Sequence, residues 1–416
     1  MTRPTVLVAL TVVLLAMAGD RWDLARAQDQ EAEPFISTGL PAVPLPNPPV
    51  TYETAERQDI RVSVVTAGLT YPWGMTFLPD GRILVTERGG ALRTIRDGVL
   101  NPAPVSGVPQ VHAEGLSGLM DVAVHPRFEE NQWVYLTYSK PTPEGPRPAL
   151  ARGRLDRHAL VDVDEIFVSN DVTSIGAAAR LVFAQDGALF MSVGGAFADR
   201  RPLAQDPAHH TGKILRLRDD GTAPDDNPFI DQPGHAPEVF SLGHRNQMGV
   251  AIHPDTGELW ASEHGPMGGD EVNRILPGGN YGWPVVSHGR EYGGALVSDQ
   301  IRREDLVSPD VVWIPSIGPA GMTFYAGDRF PAWRGDLFVG ALRVGRVDRT
   351  GHLQRIGFNR AGQEQRRESL LADLRRRIRD VVESPDGLLY VLTAGNREDP
   401  EPTRGAAAIL KIEPVE

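Results

Sequence analysis

Apolar residues recur along this chain with a period of two, in short runs that are each entered through a turn. Asp80-Gly81 leads into Arg82-Ile83-Leu84-Val85, Asp186-Gly187 into Ala188-Leu189-Phe190-Met191, and Asp386-Gly387 into Leu388-Leu389-Tyr390-Val391. Thr256-Gly257 before Glu258-Leu259-Trp260 and Gly335-Asp336 before Leu337-Phe338-Val339 are close equivalents, and Asn131-Gln132 before Trp133-Val134-Tyr135-Leu136 is a divergent sixth. Asp-Gly between alternating apolar runs predicts a hairpin in which both central positions take positive φ. Copies spaced by about 50 to 80 residues fit one supersecondary unit per repeat. The pattern therefore predicts an all-β chain, a six-bladed β-propeller with about four antiparallel strands per blade. Two stacked β-domains are the competing arrangement, and the regular repeat disfavours them. Ile409-Leu410-Lys411-Ile412 is expected to pair with Arg61-Val62-Ser63-Val64-Val65 and close the ring, while Leu370 to Ile378 reads as a helical insertion before the last blade.

Composition adds boundaries to this picture. Residues 1–27 carry Arg3, an apolar run from Val6 to Ala18 and a small-x-small site at Ala25-Arg26-Ala27, the pattern of a secretory signal peptide cleaved after Ala27. The run is too short to span a bilayer as a helix, so a periplasmic or secreted protein is expected, without a membrane span after cleavage. Residues 28–55 are acidic and then Pro-rich, which suggests a linker, and residues 56–416 form the propeller domain. With 44 Gly and 35 Pro the 416-residue chain has ample turn material, and an apolar fraction of 41% still supplies a large core. There is no Cys, which excludes disulfides, thiolate metal sites and a cysteine nucleophile. Lys+Arg of 42 against Asp+Glu of 54 gives −12, which argues against nucleic acid and anionic membrane as partners.

Chemistry concentrates between Pro237 and Pro284. Leu242-Gly243-His244-Arg245-Asn246 sets a fixed cation beside an amide, Ser262-Glu263-His264-Gly265-Pro266 with Asp270-Glu271 offers carbonyls beside carboxylates, and Gly278-Gly279-Asn280-Tyr281-Gly282-Trp283-Pro284 is a Gly-dense loop. Loops rich in carbonyl and carboxylate oxygen suit Ca²⁺, and Arg with Asn suits an anionic organic ligand.

In the order and spacing of these three pieces the sequence resembles the soluble sugar dehydrogenases that use pyrroloquinoline quinone (PQQ), the glucose/sorbosone dehydrogenase family, in register from about Val62 onwards. The resemblance implies PQQ and Ca²⁺ as cofactors, a small sugar or alcohol as substrate and an external electron acceptor. It assigns Arg245 and Asn246 to the reacting quinone carbonyl, Arg377 and Arg379 to the cofactor carboxylates, Arg343 to the place of a cofactor-binding Lys, and Ser316 to a hydroxyl contact. Gly265 and Pro266 match carbonyl ligands of the cofactor-bound Ca²⁺, and Glu271 and Tyr281 match ligands of a second, structural Ca²⁺.

On the substrate side the resemblance breaks. The family's proton-accepting His precedes an Arg-Leu-Val strand by four residues, and here that position is Gly176, ahead of Arg180-Leu181-Val182. A family Gly-Asp is Gly194-Gly195, and a family Gly-Gln is Gly115-Leu116. His209, His210, His244 and His264 are the imidazoles in or beside the mouth-loop motifs, and His264, next to the carbonyl pair, is the first candidate for a replacement base. The alternative is a propeller that binds cofactor or ligand without turnover. A metal-dependent hydrolase would need more converging carboxylates than the motifs supply.

Overall fold

The computed structural model describes residues 41–56, 58–173, 177–395 and 407–415. The expected signal peptide, residues 28–40 of the expected linker and Gly176 lie outside the described residues. The chain forms six antiparallel sheets, five of them built from four strands consecutive in sequence. In the sixth, Ile60–Leu69 inserts beside the C-terminal strand Ala407–Pro414, with Val62 opposite Ile412 and Val64 opposite Leu410. This closes the ring as the sequence predicts. Among the described residues, no helix is long and apolar enough to cross a membrane.

The innermost strands are Pro72–Phe77, Leu119–Val124, Leu181–Phe183, Gln247–Ile252, Pro319–Phe324 and Arg377–Glu383. Residues from all six line one axial cavity of about 240 Å³. The second strands, such as Ile83–Glu87, Leu189–Val193, Leu259–Glu263 and Leu337–Ala341, are buried along their whole length, because each blade packs against a neighbour on both faces. The outermost strand Ala159–Val168, wet on one side, keeps an exposed run.

All six repeat turns connect the first and second strands of their blades and so share one end of the propeller. Their geometry differs from a two-residue turn. Leu78 N donates to Arg82 O at 2.8 Å and Gly81 N to Leu78 O at 2.9 Å, and the same pair of bonds recurs at Ala184 and Ser384. Only the glycine is left-handed (Gly81 at φ 82°), so the loop has three residues and the Asp keeps negative φ. A Cβ at Gly81 would meet nothing within 4 Å, so backbone conformation rather than space selects glycine there.

Two other expectations are revised. The helix expected from Leu370 to Ile378 is a single 3₁₀ turn, Ala372–Leu374, between the strand Glu364–Leu370 and the inner strand Arg377–Glu383. Leu371 and Arg375 are left-handed at its two ends, which stops propagation. Leu370, Leu371, Leu374 and Ile378 are all buried in one cluster, so their helix-like spacing comes from packing a compact corner. The end of the expected linker is likewise ordered. Val50–Tyr52 adds a fifth strand to the last blade, and the carbonyls of Pro41 and Val43 accept from Arg375 Nη1 and Arg376 Nη2 at 3.1 and 2.9 Å.

The loops between second and third strands, and those between blades, gather at the opposite end from the repeat turns. This end is the mouth. Segment 276–310 joins third and fourth strands and so leaves from the far end, yet it climbs back: Trp283 N donates to Gly243 O at 2.8 Å, and Met267 and Arg290 exchange backbone bonds at 3.0 Å.

Candidate active site

Arg245 lies in the link between the strands Val239–Leu242 and Gln247–Ile252. Gly243, at φ 79°, turns the chain so tightly against Asn280 that a Cβ would sit 2.1 Å from its Oδ1. Buried Glu263 then fixes the following two residues, accepting from His244 Nδ1 at 2.9 Å and from Arg245 N at 2.7 Å. His244, with Ser241 Oγ on its other nitrogen at 2.9 Å and Tyr281 stacked on its ring, is fully enclosed and serves the loop rather than a reaction.

The Arg245 guanidinium donates through Nη1 to His264 O and Gly265 O at 2.9 and 3.2 Å. It lies over the rings of Phe197 and Trp283, at 4.7 and 5.3 Å. Burial pulls its pKa below the ordinary arginine value. Asn246 is turned away from this group, its Oδ1 accepting from Ala178 N and Gly195 N at 3.1 and 3.2 Å.

Asp270 joins the two loops that face Arg245. Its Oδ1 accepts from Gly265 N at 2.8 Å and its Oδ2 from Ile317 N and Gly318 N at 2.8 and 2.7 Å. Burial still pushes this carboxyl up to about 6. Gly265 and Pro266 are thus held beside Ser316, whose Oγ accepts from Gly268 N at 3.0 Å, and Arg343 braces the same corner through Ile317 O and Gly345 O at 3.0 Å each.

His264 reports how closely the cations converge. Its pKa is depressed to about 3, first by burial and then by Arg245, Arg343 and Arg379. Its Nε2 donates to Pro319 O at 2.7 Å. An imidazole of that basicity is a poor proton acceptor near neutral pH. The structure therefore gives His264 the part of a neutral wall of the site, not the base expected of it. Arg377 and Arg379, both half-buried, alternate with the buried Ile378 and Asp380 along the inner strand Arg377–Glu383. Arg379 is held well below the usual arginine range by burial and by Arg377, Arg180 and Arg88.

The second candidate metal pair is less convergent. Glu271 faces Asn273 Nδ2 at 3.3 Å, and burial with Glu263 and Asp270 nearby raises its pKa strongly. The Tyr281 hydroxyl is occupied by Arg274 O and Leu276 N at 2.6 and 2.8 Å. Among the described residues, no group of three or more His, Asp or Glu side chains forms a metal cluster, so ligation would rest on backbone oxygens as well. Of the other histidines, His210 Nδ1 accepts from Asn170 N at 3.0 Å and His209 Nδ1 pairs with Asp171 at 2.6 Å.

The glucose/sorbosone dehydrogenase family model matches residues 69–399. The chain belongs to that family. Aldose sugar dehydrogenase YliI of Escherichia coli strain K12 is 39% identical over 344 residues, 80% of this chain and 90% of that one. The apo crystal structure of the soluble aldose sugar dehydrogenase from Escherichia coli matches with a TM-score of 0.78 at 36% identity, covering 86% of this chain and 100% of that one. The PQQ-bound aldose sugar dehydrogenase from Streptomyces coelicolor matches with a TM-score of 0.70 at 26% identity, covering 86% and 99%.

The site residues of this family member suit a flat polycarboxylate. Nε of Arg245 and Nε of Arg379 are buried without a hydrogen-bond partner, and the cations around His264 outnumber the anions. Such a cluster is costly until an anion enters it. Three of its members escape sequence reasoning. Glu263 stands inside the quoted motif without a role of its own, Arg88 carries no motif, and Tyr292 falls in an insertion without periodicity. Only the loop pairing of Met267 with Arg290 reveals where Tyr292 goes.

Proposed function

We propose that this chain oxidises a sugar or another alcohol with PQQ as hydride acceptor, in an aldose-to-lactone type of reaction, with Ca²⁺ at the carbonyls of Gly265 and Pro266. The reading is carried by one observation: Arg245 donates to the carbonyls of His264 and Gly265, while its Nε and that of Arg379, from another blade, are buried without a partner. Bound there, PQQ would supply the two-electron acceptor and Ca²⁺ would polarise the quinone. The chain's own work is binding and charge stabilisation. Arg245 places a desolvated cation where negative charge develops, and Arg343, Arg377 and Arg379 offer planar donors to carboxylates. Ser316 and Asn246 are the proposed polar contacts of the cofactor, Asp270 holds both walls, and Glu271 and Tyr281 are the proposed ligands of a second Ca²⁺.

A second reading, a propeller that binds the cofactor without turnover, is favoured by the weak basicity of His264 together with Gly176 in the sequence. One experiment separates the two. The purified chain is reconstituted with PQQ and Ca²⁺, and the cofactor spectrum and dye reduction are recorded over a panel of aldoses and alcohols. Reduction supports the dehydrogenase, bound quinone that no substrate reduces supports the second reading, and absence of quinone binding sinks both. Export, to the periplasm or out of the cell, remains part of the proposal, and N-terminal sequencing of the mature protein tests it through cleavage after Ala27.

A further inference from the structure

Tyr292 lies in segment 276–310, which folds back over the mouth. Tyr292 is 48% exposed. It follows Glu291, whose partner Arg201 lies over the same Trp283 ring as the buried Arg245, so its hydroxyl stands beside the Arg245 guanidinium. The Arg346 guanidinium covers its ring at 5.7 Å. A guanidinium has donors only, so toward Arg245 the phenol can present only its oxygen. The phenol's own proton is then left over, and among the described residues it meets no acceptor.

This donor is held in place from both sides. Met267 and Arg290 exchange backbone bonds at 3.0 Å, and Glu291 N donates to Ala295 O at 2.7 Å, closing a tight turn around Tyr292. The Glu291 carboxylate is bidentate to Arg201, with one bond at 2.7 Å, and Arg201 lies over the Trp283 ring at 5.7 Å. Arg201 belongs to the 3₁₀ segment Ala198–Gln205, which also exchanges side-chain bonds with Asn280 through Gln205, at 3.0 and 2.8 Å. Two insertions from different blades are thereby locked together, with Tyr292 at their junction above Arg245.

We propose that the Tyr292 hydroxyl fixes the substrate's reacting oxygen at the mouth. It takes over work for which the chain lacks polar side chains at Leu116 and Gly195, and Arg201–Glu291 is the pair that positions it. Leu116, 45% exposed, has no side-chain donor or acceptor to offer a sugar. The inference rests on the dehydrogenase reading and names its substrate contact.

The test uses the full chain loaded with PQQ and Ca²⁺ and compares it with Tyr292→Phe. Cofactor affinity is read by absorbance titration, sugar binding by calorimetry and turnover by dye reduction. Loss of one hydrogen bond to the substrate predicts a KM and a sugar Kd raised about tenfold or more, with PQQ affinity within about twofold of the parent. Glu291→Gln should shift KM the same way by about threefold, and the charge swap Arg201→Glu with Glu291→Arg should restore it, which a merely structural loss would not do. A Tyr292→Phe protein with unchanged KM and sugar affinity, or one that loses PQQ instead, overturns the proposal. If the parent binds PQQ but turns over nothing, the dehydrogenase reading fails by itself. Calorimetry then decides for Tyr292: sugar binding weakened by Tyr292→Phe supports it, and no binding by the parent, or binding unchanged in the variant, overturns it.

Discussion

Replacing Arg379 with Met should move stability and cofactor affinity in opposite directions. The guanidinium is largely enclosed, its Nε is buried without a partner, and Arg377, Arg180 and Arg88 repel it while Asp380 attracts it. Asp380 is itself already committed, to Arg180 Nη1 at 3.2 Å and Met75 N at 2.9 Å. Exchanging poorly compensated buried charge for apolar volume stabilises proteins by about 1–4 kcal/mol. Arg379 keeps part of its surface in water, so the lower end, about 1–2 kcal/mol, applies to the cofactor-free chain. A carboxylate paired with that guanidinium contributes about 3–4 kcal/mol, so the same change should weaken PQQ about 10²–10³-fold. Urea unfolding with and without PQQ and Ca²⁺ measures both quantities. At a cofactor concentration near 100 times the parent's Kd, the parent gains about 2.7 kcal/mol and the variant under about 0.5 kcal/mol. A variant that is less stable than the parent without cofactor by more than about 1 kcal/mol, or one that gains as much from PQQ, refutes the reasoning.

Asp270→Asn keeps the shape but turns a donor toward one of the three backbone N–H groups that Asp270 accepts. It should cost about 2–4 kcal/mol and weaken Ca²⁺ more than tenfold, by unfolding and by Ca²⁺ titration. The carboxyl titrates at about 6 when folded and near 3.8 when unfolded, so its contribution to stability declines as pH rises through that window, and the variant should flatten that slope. His264 is depressed in the other sense, from 6.5 to about 3, so its contribution is complete above about pH 6.5 and is lost as pH falls toward 3. NMR should show it neutral from pH 8 to pH 5, carrying its proton on Nε2, and Arg245→Met should move its midpoint upward.

The ring, its closure and the end of the molecule that carries the motifs were legible because each depends on local patterning: a glycine turn, an apolar run, a strand count. The convergence of Arg245 with Arg343 and Arg379 was legible only through resemblance, since the three residues are far apart in sequence. What escaped depends on side-chain environment. The same carbonyl-rich loop that marked His264 as a candidate base also packs it among cations, which removes its basicity. Leu370 to Ile378 failed for a related reason, because burial of four apolar residues in a left-handed corner produces helical spacing without a helix.

How a chain of net charge −12 tolerates several arginines at one opening is answered one layer below them. Arg180 sits across the tunnel between Asp121 and Asp380, with Nη1 at 3.2 Å from each, and donates to Met248 O at 2.8 Å, Arg379 O at 3.2 Å and Trp73 O at 3.4 Å. The remaining inner strand contributes the space: a Cβ at Gly321 would lie 1.6 Å from Asp380 Oδ1 and 2.9 Å from Arg180 Nη2. All six inner strands therefore meet at one charged group, and no blade can shift without disturbing it. When both carboxylates are ionised the trio carries one surplus negative charge, and Asp380 places it next to Arg379 along the strand. Burial raises both carboxyls, Asp121 to about 6, so that surplus is complete only above that pH. The cationic mouth and the anionic floor are consequently one electrostatic unit, in which the floor offsets part of the repulsion at the mouth and leaves the remainder for an entering anion to neutralise.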